Sequence, residues 1–326
     1  MIGGSGFIGY HVVTALNARG YEVKIGTRSN VTNSTSIRFD IAKMTDKQLS
    51  EVLSGFTHIV FSAGADDRST AKGDAWKYFY NENVVPCVRL ATLCRELPVL
   101  KIVIIGSYFS YVDRVNPAWK LSSTHPYIAS RKLQIDETCE AADGKTEIVV
   151  LQPPYIFGAT PGKVPLWKEL GLLDYVQWPI VFYPTGGTNI VSVEQVAKAT
   201  IGAIESAKHK ECWIVGDRNV TWVELINLLA LGMGKPRGPT IITVPTVVVT
   251  LFMYLVQFMF TLFCVHLGLK AGAFMKVQTS CTFFPEDELT RSMQALGYEH
   301  ADMEASIRDT CRGAETTGTT GVTPSA

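Results

Sequence analysis

Neither sign of charge is in surplus in this chain of 326 residues: 30 lysines and arginines balance 30 aspartates and glutamates. A chain without a net field has no electrostatic reason to hold nucleic acid, and none is expected as a partner. Paired cysteines are lacking too. Cys87, Cys94, Cys139, Cys212, Cys264, Cys281 and Cys311 are odd in number and none stands in a C-x-x-C pair, which argues for reduced thiols over a disulfide frame. The histidines show neither H-x-x-x-H nor H-E-x-x-H spacing, so no metal site is expected. No signal-peptide pattern lies ahead of the first motif, and the sequons at Asn30, Asn33 and Asn219 carry no weight without one.

Charge is missing altogether between Thr240 and Leu269, with Lys235 and Arg237 before this stretch and Lys270 and Lys276 after it. Thr246 to Leu269 is long enough, at roughly 1.5 Å per residue, for about 30 Å of hydrocarbon. It is apolar on every face, where a helix of a soluble domain would carry a polar stripe. The expectation is a hydrophobic helix within 241–269 that inserts in a membrane, spanning or lying in one leaflet. A buried helix of a substrate domain is the alternative. The protein would then be membrane-associated and cytoplasmic-facing, at the endoplasmic reticulum or another organelle, although lysines on both sides leave the orientation open. The tail from Gly313 to Ala326 is low in complexity and is expected to be disordered.

What is present begins almost at once. Gly3-Gly4-Ser5-Gly6-Phe7-Ile8-Gly9 leads into a helical stretch from Tyr10 to Arg19, a stop at Gly20 and a strand from Tyr21 to Thr27. Short β-rich runs follow at His58–Ala63, Lys101–Ser107, Glu147–Gln152 and Cys212–Val215, separated by helical stretches at Asp46–Leu53, Ala75–Arg95, Tyr127–Ala142 and Val193–Ala207. Such alternation predicts an α/β fold, a Rossmann-type doubly wound parallel sheet with a smaller C-terminal substrate domain. Residues 1–152 would bind the dinucleotide. Residues 153–312 would form the substrate part, interrupted by a return to the sheet at about 188–217. Only two residues precede the glycine loop, where a full central strand belongs, so a truncated first strand is expected, with unpaired backbone on either side of it.

The glycines at 3, 6 and 9 allow a tight turn and a close approach to a pyrophosphate, and the helix starting near Phe7 and Ile8 points free N–H groups at that anion. The helix, Gly20 and the second strand at the right spacing turn a weak motif into a strong one. Where an NAD-preferring site carries an acid, this chain reads Gly26-Thr27-Arg28-Ser29. Arg28 can pair with a 2′-phosphate, which favours NADP over NAD. Asp40 is placed to touch the adenine, or is a turn aspartate.

These residues, with Ser62-Ala63-Gly64-Ala65, Asn83-Val84, Ile105-Gly106-Ser107, Tyr127-Ile128-Ala129-Ser130-Arg131, Gln152-Pro153-Pro154, Phe157-Gly158 and Ile190 to Ala197, resemble the extended short-chain dehydrogenase/reductases. The nearer likeness is to their epimerase/dehydratase and 3β-hydroxysteroid dehydrogenase branch, and it covers most of Ile2 to Arg312. The resemblance implies cofactor contacts at the glycine loop, Asp40, Ala63, Gly64, Ala65, Tyr127, Arg131 and Pro154, with Asn83 supporting the site. It also implies that Ser107 holds the substrate oxygen and that Tyr127 passes the proton. A tyrosine with an ordinary pKa near 10 needs a neighbouring cation for that task. The family has a lysine one turn on; this chain has Arg131, with Lys132 next to it and about 100° around the helix. Arginine can hold ribose hydroxyls and steady a tyrosinate, yet it cannot relay a proton. An altered enzyme and a non-catalytic nucleotide-binding protein are both open on this evidence. Ser192 and Glu194 also depart from the family's usual histidine and aspartate.

The substrate part, Pro153–Gly187 with Asn219–Pro239, holds Trp167, Trp178, Phe182 and Tyr183 but only Arg218 and Arg237 as arginines. A sugar diphosphate would ask for more. The reading is an NAD(P)-dependent oxidoreductase acting on a secondary alcohol or ketone of a lipophilic, sterol-like molecule. The alternatives are the non-catalytic protein and a sugar-nucleotide epimerase or dehydratase. A homodimer through Ala75–Arg95 and Tyr127–Ala142 is expected by analogy.

Overall fold

The computed structural model describes residues 1–28 and 34–318. The glycine loop opens helix α1 (Phe7–Ala18). Then follow β1 (Ile25–Thr27), β2 (Ser36–Arg38), α2 (Asp46–Leu53), β3 (His58–Phe61), β4 (Thr70–Lys72), α3 (Ala75–Asn83), α4 (Val85–Cys94), β5 (Lys101–Ile105), α5 (Tyr108–Val115), α6 (Leu121–Thr124), α7 (Pro126–Ala142) and β6 (Glu147–Gln152). The second half runs β7 (Tyr155–Phe157), α8 (Leu166–Glu169), α9 (Leu172–Tyr175), β8 (Ile180–Tyr183), β9 (Gly187–Ser192), α10 (Val193–Glu205), β10 (Glu211–Ile214), β11 (Arg218–Thr221) and α11 (Trp222–Gly232). It ends with β12 (Thr240–Thr243), α12 (Thr246–Leu262), β13 (Val265–Leu267), α13 (Ala271–Gln278), β14 (Cys281–Thr282), α14 (Glu286–Leu296) and α15 (Met303–Gly318). The single helix expected over Ala75–Arg95 is two, parted at Val84, because Pro86 has no N–H to bond the preceding turn.

The main sheet is parallel in the order β2-β1-β3-β5-β6-β10, with Ile2 between β1 and β3. Ile2 N donates to Val60 O at 2.9 Å, Ser62 N to Ile2 O at 3.0 Å and Gly26 N to Met1 O at 2.9 Å. Over these two residues the backbone of both neighbours is therefore paired. β5 reads Lys-Ile-Val-Ile-Ile and is buried at every position, as a strand covered on both faces must be. One face packs Val103 and Ile105 against Val12 and Leu16 of α1 and Val196 and Ala203 of α10. The other packs Ile102 and Ile104 against Leu49, Leu90 and Ala142 of α2, α4 and α7. The fold is thus α/β and doubly wound. Buried Lys101 sets its ammonium on the free carbonyls at the end of α10, donating to Ala203 O (3.2 Å), Ile204 O (2.9 Å) and Ala207 O (2.5 Å). A cation there also meets the negative end of the helix dipole.

A second sheet has the order β11-β9-β14, with β7 also on β9. The return expected at 188–217 is therefore partial: β9 stays in this second sheet, and only α10 and β10 rejoin the first. Ser192 explains its own departure from the family pattern. Its hydroxyl caps α10, accepting from Gln195 N, while Gln195 Oε1 accepts from Ser192 N.

The apolar stretch is not one long helix. β12 pairs with β8, α12 follows Pro245, Cys264 turns the chain at φ +55°, and β13 runs back antiparallel to β4. With 17 residues, α12 is about 25 Å long, short of the roughly 30 Å of hydrocarbon. No helix among the described residues is long and apolar enough to cross a membrane. The spanning expectation is corrected to an out-and-back excursion. The buried-helix alternative is corrected as well, since α12 has no buried residue and exposes Val247 (69%), Leu251 (66%) and Phe263 (73%) just past its end. At the C-terminus α15 runs on to Gly318, so the part of the tail from Gly313 to there is helical; 319–326 lie outside the described residues.

Candidate active site

The glycine loop works through absent side chains. Gly3 has φ +81°, and a Cβ there would meet Ser62 O at 2.5 Å; one on Gly9 would meet Gly3 O at 2.1 Å. These two let α1 sit directly on the loop. Gly6 is different: the nearest atom a Cβ would meet is Gly3 O at 3.2 Å, and the residue lines a cleft of about 370 Å³. It is the N-cap of α1, with no side-chain cap and no acid in the first turn. The free amides of the helix start, bordered by Phe7, Ile8, Ala63 and Gly64, therefore fit a dinucleotide's pyrophosphate. Lys163, not singled out in the sequence, donates its ammonium to Ser5 O and brings a cation to the loop.

The other cofactor candidates divide. Pro154 lines the cleft. Arg28 is exposed just past β1. Asp40 is buried, and its Oδ1 accepts from Ala42 N at 3.2 Å, which is the turn role. Ala65 is buried and offers its carbonyl to Arg131 at 3.3 Å. Asn83 lies beneath the cleft, not on it: a Cβ on Gly64 would meet its Oδ1 at 2.4 Å, and its Nδ2 donates to Ser130 Oγ at 2.9 Å. It props the loop and α7, as a support, and makes no wall of the cleft.

Ser107 lies two residues past the end of β5 and N-caps α5, its Oγ accepting from Phe109 N at 3.3 Å. Ser107 and Tyr127 both line the cleft. Tyr127 stands in the first turn of α7, after Pro126, with its amide donating to Gly268 O at 3.1 Å. Arg131, one turn on and buried, donates from Nε to Tyr127 Oη at 3.3 Å and from its two terminal nitrogens to Gln134 Oε1 at 3.0 Å and Ala65 O. Lys132 points out to solvent, paired with Asp136 at 2.6 Å. The adjacent lysine thus cannot stand in for the family's lysine. Burial pushes the Tyr127 phenol above its ordinary pKa; Arg131 opposes this, Asp67 reinforces it, and hydrogen bonds from Ser107 and Arg131 oppose it again. The expected lowering by the cation is present but is outweighed by desolvation.

Beyond these groups the cleft has a charged loop, Asp66 to Arg68, and an apolar wall. Tyr155, Ile156, Leu166, Trp167 and Leu170 wall it. Tyr155 and Phe157 stack on either side of the Trp167 ring, at 5.2 and 5.0 Å between centroids. Trp167 answers the expectation of a substrate-part aromatic at the site. Trp178 and Phe182 do not: they are 62% and 57% exposed. Asp67 and Tyr108 also line the cleft and were missed, because each falls just past a landmark, Ala65 and Ser107, and not within it.

A family model described as the NAD dependent epimerase/dehydratase family matches residues 1–216. Sterol-4-alpha-carboxylate 3-dehydrogenase, decarboxylating, of Mus musculus is 27% identical over 221 residues, covering 64% of this chain and 59% of that protein. The chain thus spans about three fifths of the length of such relatives. Among solved structures, gox2253 aligns with a TM-score of 0.73 at 19% identity over 97% of both chains. UDP-glucuronic acid 4-epimerase from Bacillus cereus, in complex with NAD, gives 0.67 at 14% over 97% and 98%. Human epimerase family protein SDR39U1 with NADPH gives 0.65 at 17% over 95% and 98%. At these identities the structures bear on the fold alone. With two thirds of its length matched, the chain belongs to the NAD dependent epimerase/dehydratase family.

Proposed function

We propose that this chain is an NAD(P)-dependent oxidoreductase that moves a hydride between the nicotinamide and a secondary alcohol or ketone of a lipophilic, sterol-like substrate. One observation carries the reading: Ser107, Tyr127 and Arg131 meet between an uncapped helix start on one side and the Tyr155–Trp167 wall on the other. The relatives named for a sterol support the substrate class. When bound, the nicotinamide supplies or accepts the hydride. Ser107 orients the substrate oxygen, Tyr127 Oη holds the proton that oxygen gains or loses, and Arg131 steadies the phenolate. NADP is favoured over NAD, on Arg28.

A phenol pushed upward keeps its proton at neutral pH, so ketone reduction should exceed alcohol oxidation there. Oxidation needs the phenolate and should climb as pH rises toward the phenol's pKa. The test is NADPH turnover with a hydroxysteroid panel in detergent; a protein that binds NADPH yet turns over none of them overturns the reading. Arg131 motivates a second reading, a non-catalytic NAD(P)-binding protein. In that case Arg131→Lys leaves the protein inert, whereas a gain in activity rejects it. The sugar-nucleotide alternative is disfavoured by the cleft's cations: Arg68 is already paired with Asp66 and lies 3.7 Å from Glu169.

The excursion through α12 would seat the protein on a membrane surface. No acid occurs between Glu224 and Glu286, while Lys235, Arg237, Lys270 and Lys276 do. These cations would hold the flanks of the segment to an anionic leaflet. Retention of the protein in the soluble fraction with phosphatidylserine vesicles present would reject this. A homodimer through α3, α4 and α7 is part of the proposal, with Trp76 exposed on that face; light scattering at micromolar concentration tests it.

A further inference from the structure

The loop after β3 carries two carboxylates with different employment. Asp66 serves the loop: its Oδ1 accepts from Arg68 N, Ser69 N and Ser69 Oγ, each at 3.1 Å, and its other oxygen pairs with the Arg68 guanidinium. Asp67 has no such task. Its side chain opens into the cleft, and its charge is felt by Tyr108, Tyr127 and Tyr155. Among the described residues no cation lies within ion-pair distance of it. The cations nearby are committed: Arg68 to Asp66 and Glu169, and Arg131 to Tyr127, Gln134 and the Ala65 carbonyl. Lys163 stands at the phosphate end, on Ser5.

From this inventory we infer that Asp67 makes the reacting end of the cleft select a neutral substrate that offers a hydroxyl, and reject one bearing a carboxylate next to the reacting carbon. The inference deepens the proposed oxidoreductase reading and rests on it. A hydroxyl can donate to Asp67 while its neighbour oxygen meets Ser107 and Tyr127. A carboxylate there would face Asp67 with no spare cation between them, and neighbouring like charges disfavour each other's ionised form. Burial and the neighbouring Asp66 already push the Asp67 carboxyl upward, against Arg68 and Arg131. An anionic ligand would therefore bind only with uptake of a proton and would weaken as pH rises. A neutral alcohol would show no such linkage. The charged and titratable groups around this point are Asp66, Arg68 and Arg131, with the phenols of Tyr108, Tyr127 and Tyr155. In this respect the chain would part from the relatives named for a sterol carboxylate.

The experiment measures kcat/KM of the full chain in detergent with NADP for a 3β-hydroxysteroid and for the same steroid carrying a 4α-carboxylate. The wild type should prefer the neutral steroid by about tenfold or more at pH 8, with the gap narrowing toward pH 6. Asp67→Asn, which keeps the shape, should move the ratio about tenfold toward the carboxylate. Asp67→Glu, which keeps the charge, should retain the wild-type preference and controls for folding. Equal kcat/KM for the two steroids in the wild type, or a ratio that Asp67→Asn leaves unmoved, overturns the inference while the oxidoreductase reading stands. Turnover of neither steroid removes the sterol reading and this inference with it.

Discussion

The two ends of the cleft are held in different ways. The phosphate end is backbone: Gly3, Gly6 and Gly9 lie within one turn of chain, and the loop closes on itself through Gly6 N to Gly3 O at 3.0 Å. The Tyr127 end is side chains on α7, and its seat comes from far along the chain. Gly268 O receives the Tyr127 amide, and Lys270 N donates to His125 Nδ1 at 3.0 Å across 145 residues. Both contacts belong to the segment that returns from α12 through β13, and β13 pairs with β4 just past the Asp66–Ser69 loop. The lesson is that the glycine loop is locally encoded, whereas the position of the Tyr127 phenol depends on the excursion that carries the apolar helix. Burial drives the His125 imidazole down to about 4, so this strut stays neutral and acts as a hydrogen-bond acceptor throughout the physiological range.

The comparison breaks most visibly at Tyr127. Tyr127→Phe should cut turnover by about a thousandfold, as expected for loss of a proton-transfer group, and leave NADPH affinity nearly unchanged by fluorescence titration. Gly6→Val does the reverse at the other end. It crowds the anion without touching α7, and loss of two charge-assisted hydrogen bonds at about 1.5 kcal/mol each comes to roughly a hundredfold in NADPH affinity. Gly268→Ala sharpens the contrast, because the added Cβ would meet the Phe79 ring at 2.4 Å and Tyr127 Cβ at 3.0 Å. Overpacking there should lower stability by about 1–3 kcal/mol in urea and depress kcat more than cofactor affinity. Lys101→Met is a control remote from both ends. It leaves the carbonyls of Ala203 and Ile204 in α10 and of Ala207 just past it without their donor and should cost about 1–3 kcal/mol with KM unchanged. The smallest effect on stability is expected for Leu255→Glu on exposed α12. It should change the unfolding free energy by about 0.5 kcal/mol or less while abolishing vesicle binding.

Much of the site was legible because its signals are local. The glycine spacing, the strand leading to Ser107 and the Tyr127–Arg131 turn each depend on residues a few positions apart. Lys163, Asp67 and Tyr155 were not legible, since a lysine in a Pro-Gly-Lys turn or an aspartate in a polar loop looks the same whether or not a cleft lies beside it. Trp178 and Phe182 misled for the same reason: aromatic content does not say whether a ring in a turn, or on one side of a strand, faces inward. The stretch from Thr240 to Leu269 misled differently. Hydropathy records that it avoids charge, and gives no sign that Cys264 would turn the chain back toward β4.

Periodicity and glycine placement alone established a parallel, doubly wound sheet with an anion cradle at its first helix, because both are properties of neighbouring residues along the backbone. Only the tertiary structure decided that Arg131 and not Lys132 reaches the phenol, that burial outweighs that cation at Tyr127, and that the segment after the apolar helix returns to brace α7. Desolvation and long-range packing depend on which distant segments meet, and no short window of sequence contains that information.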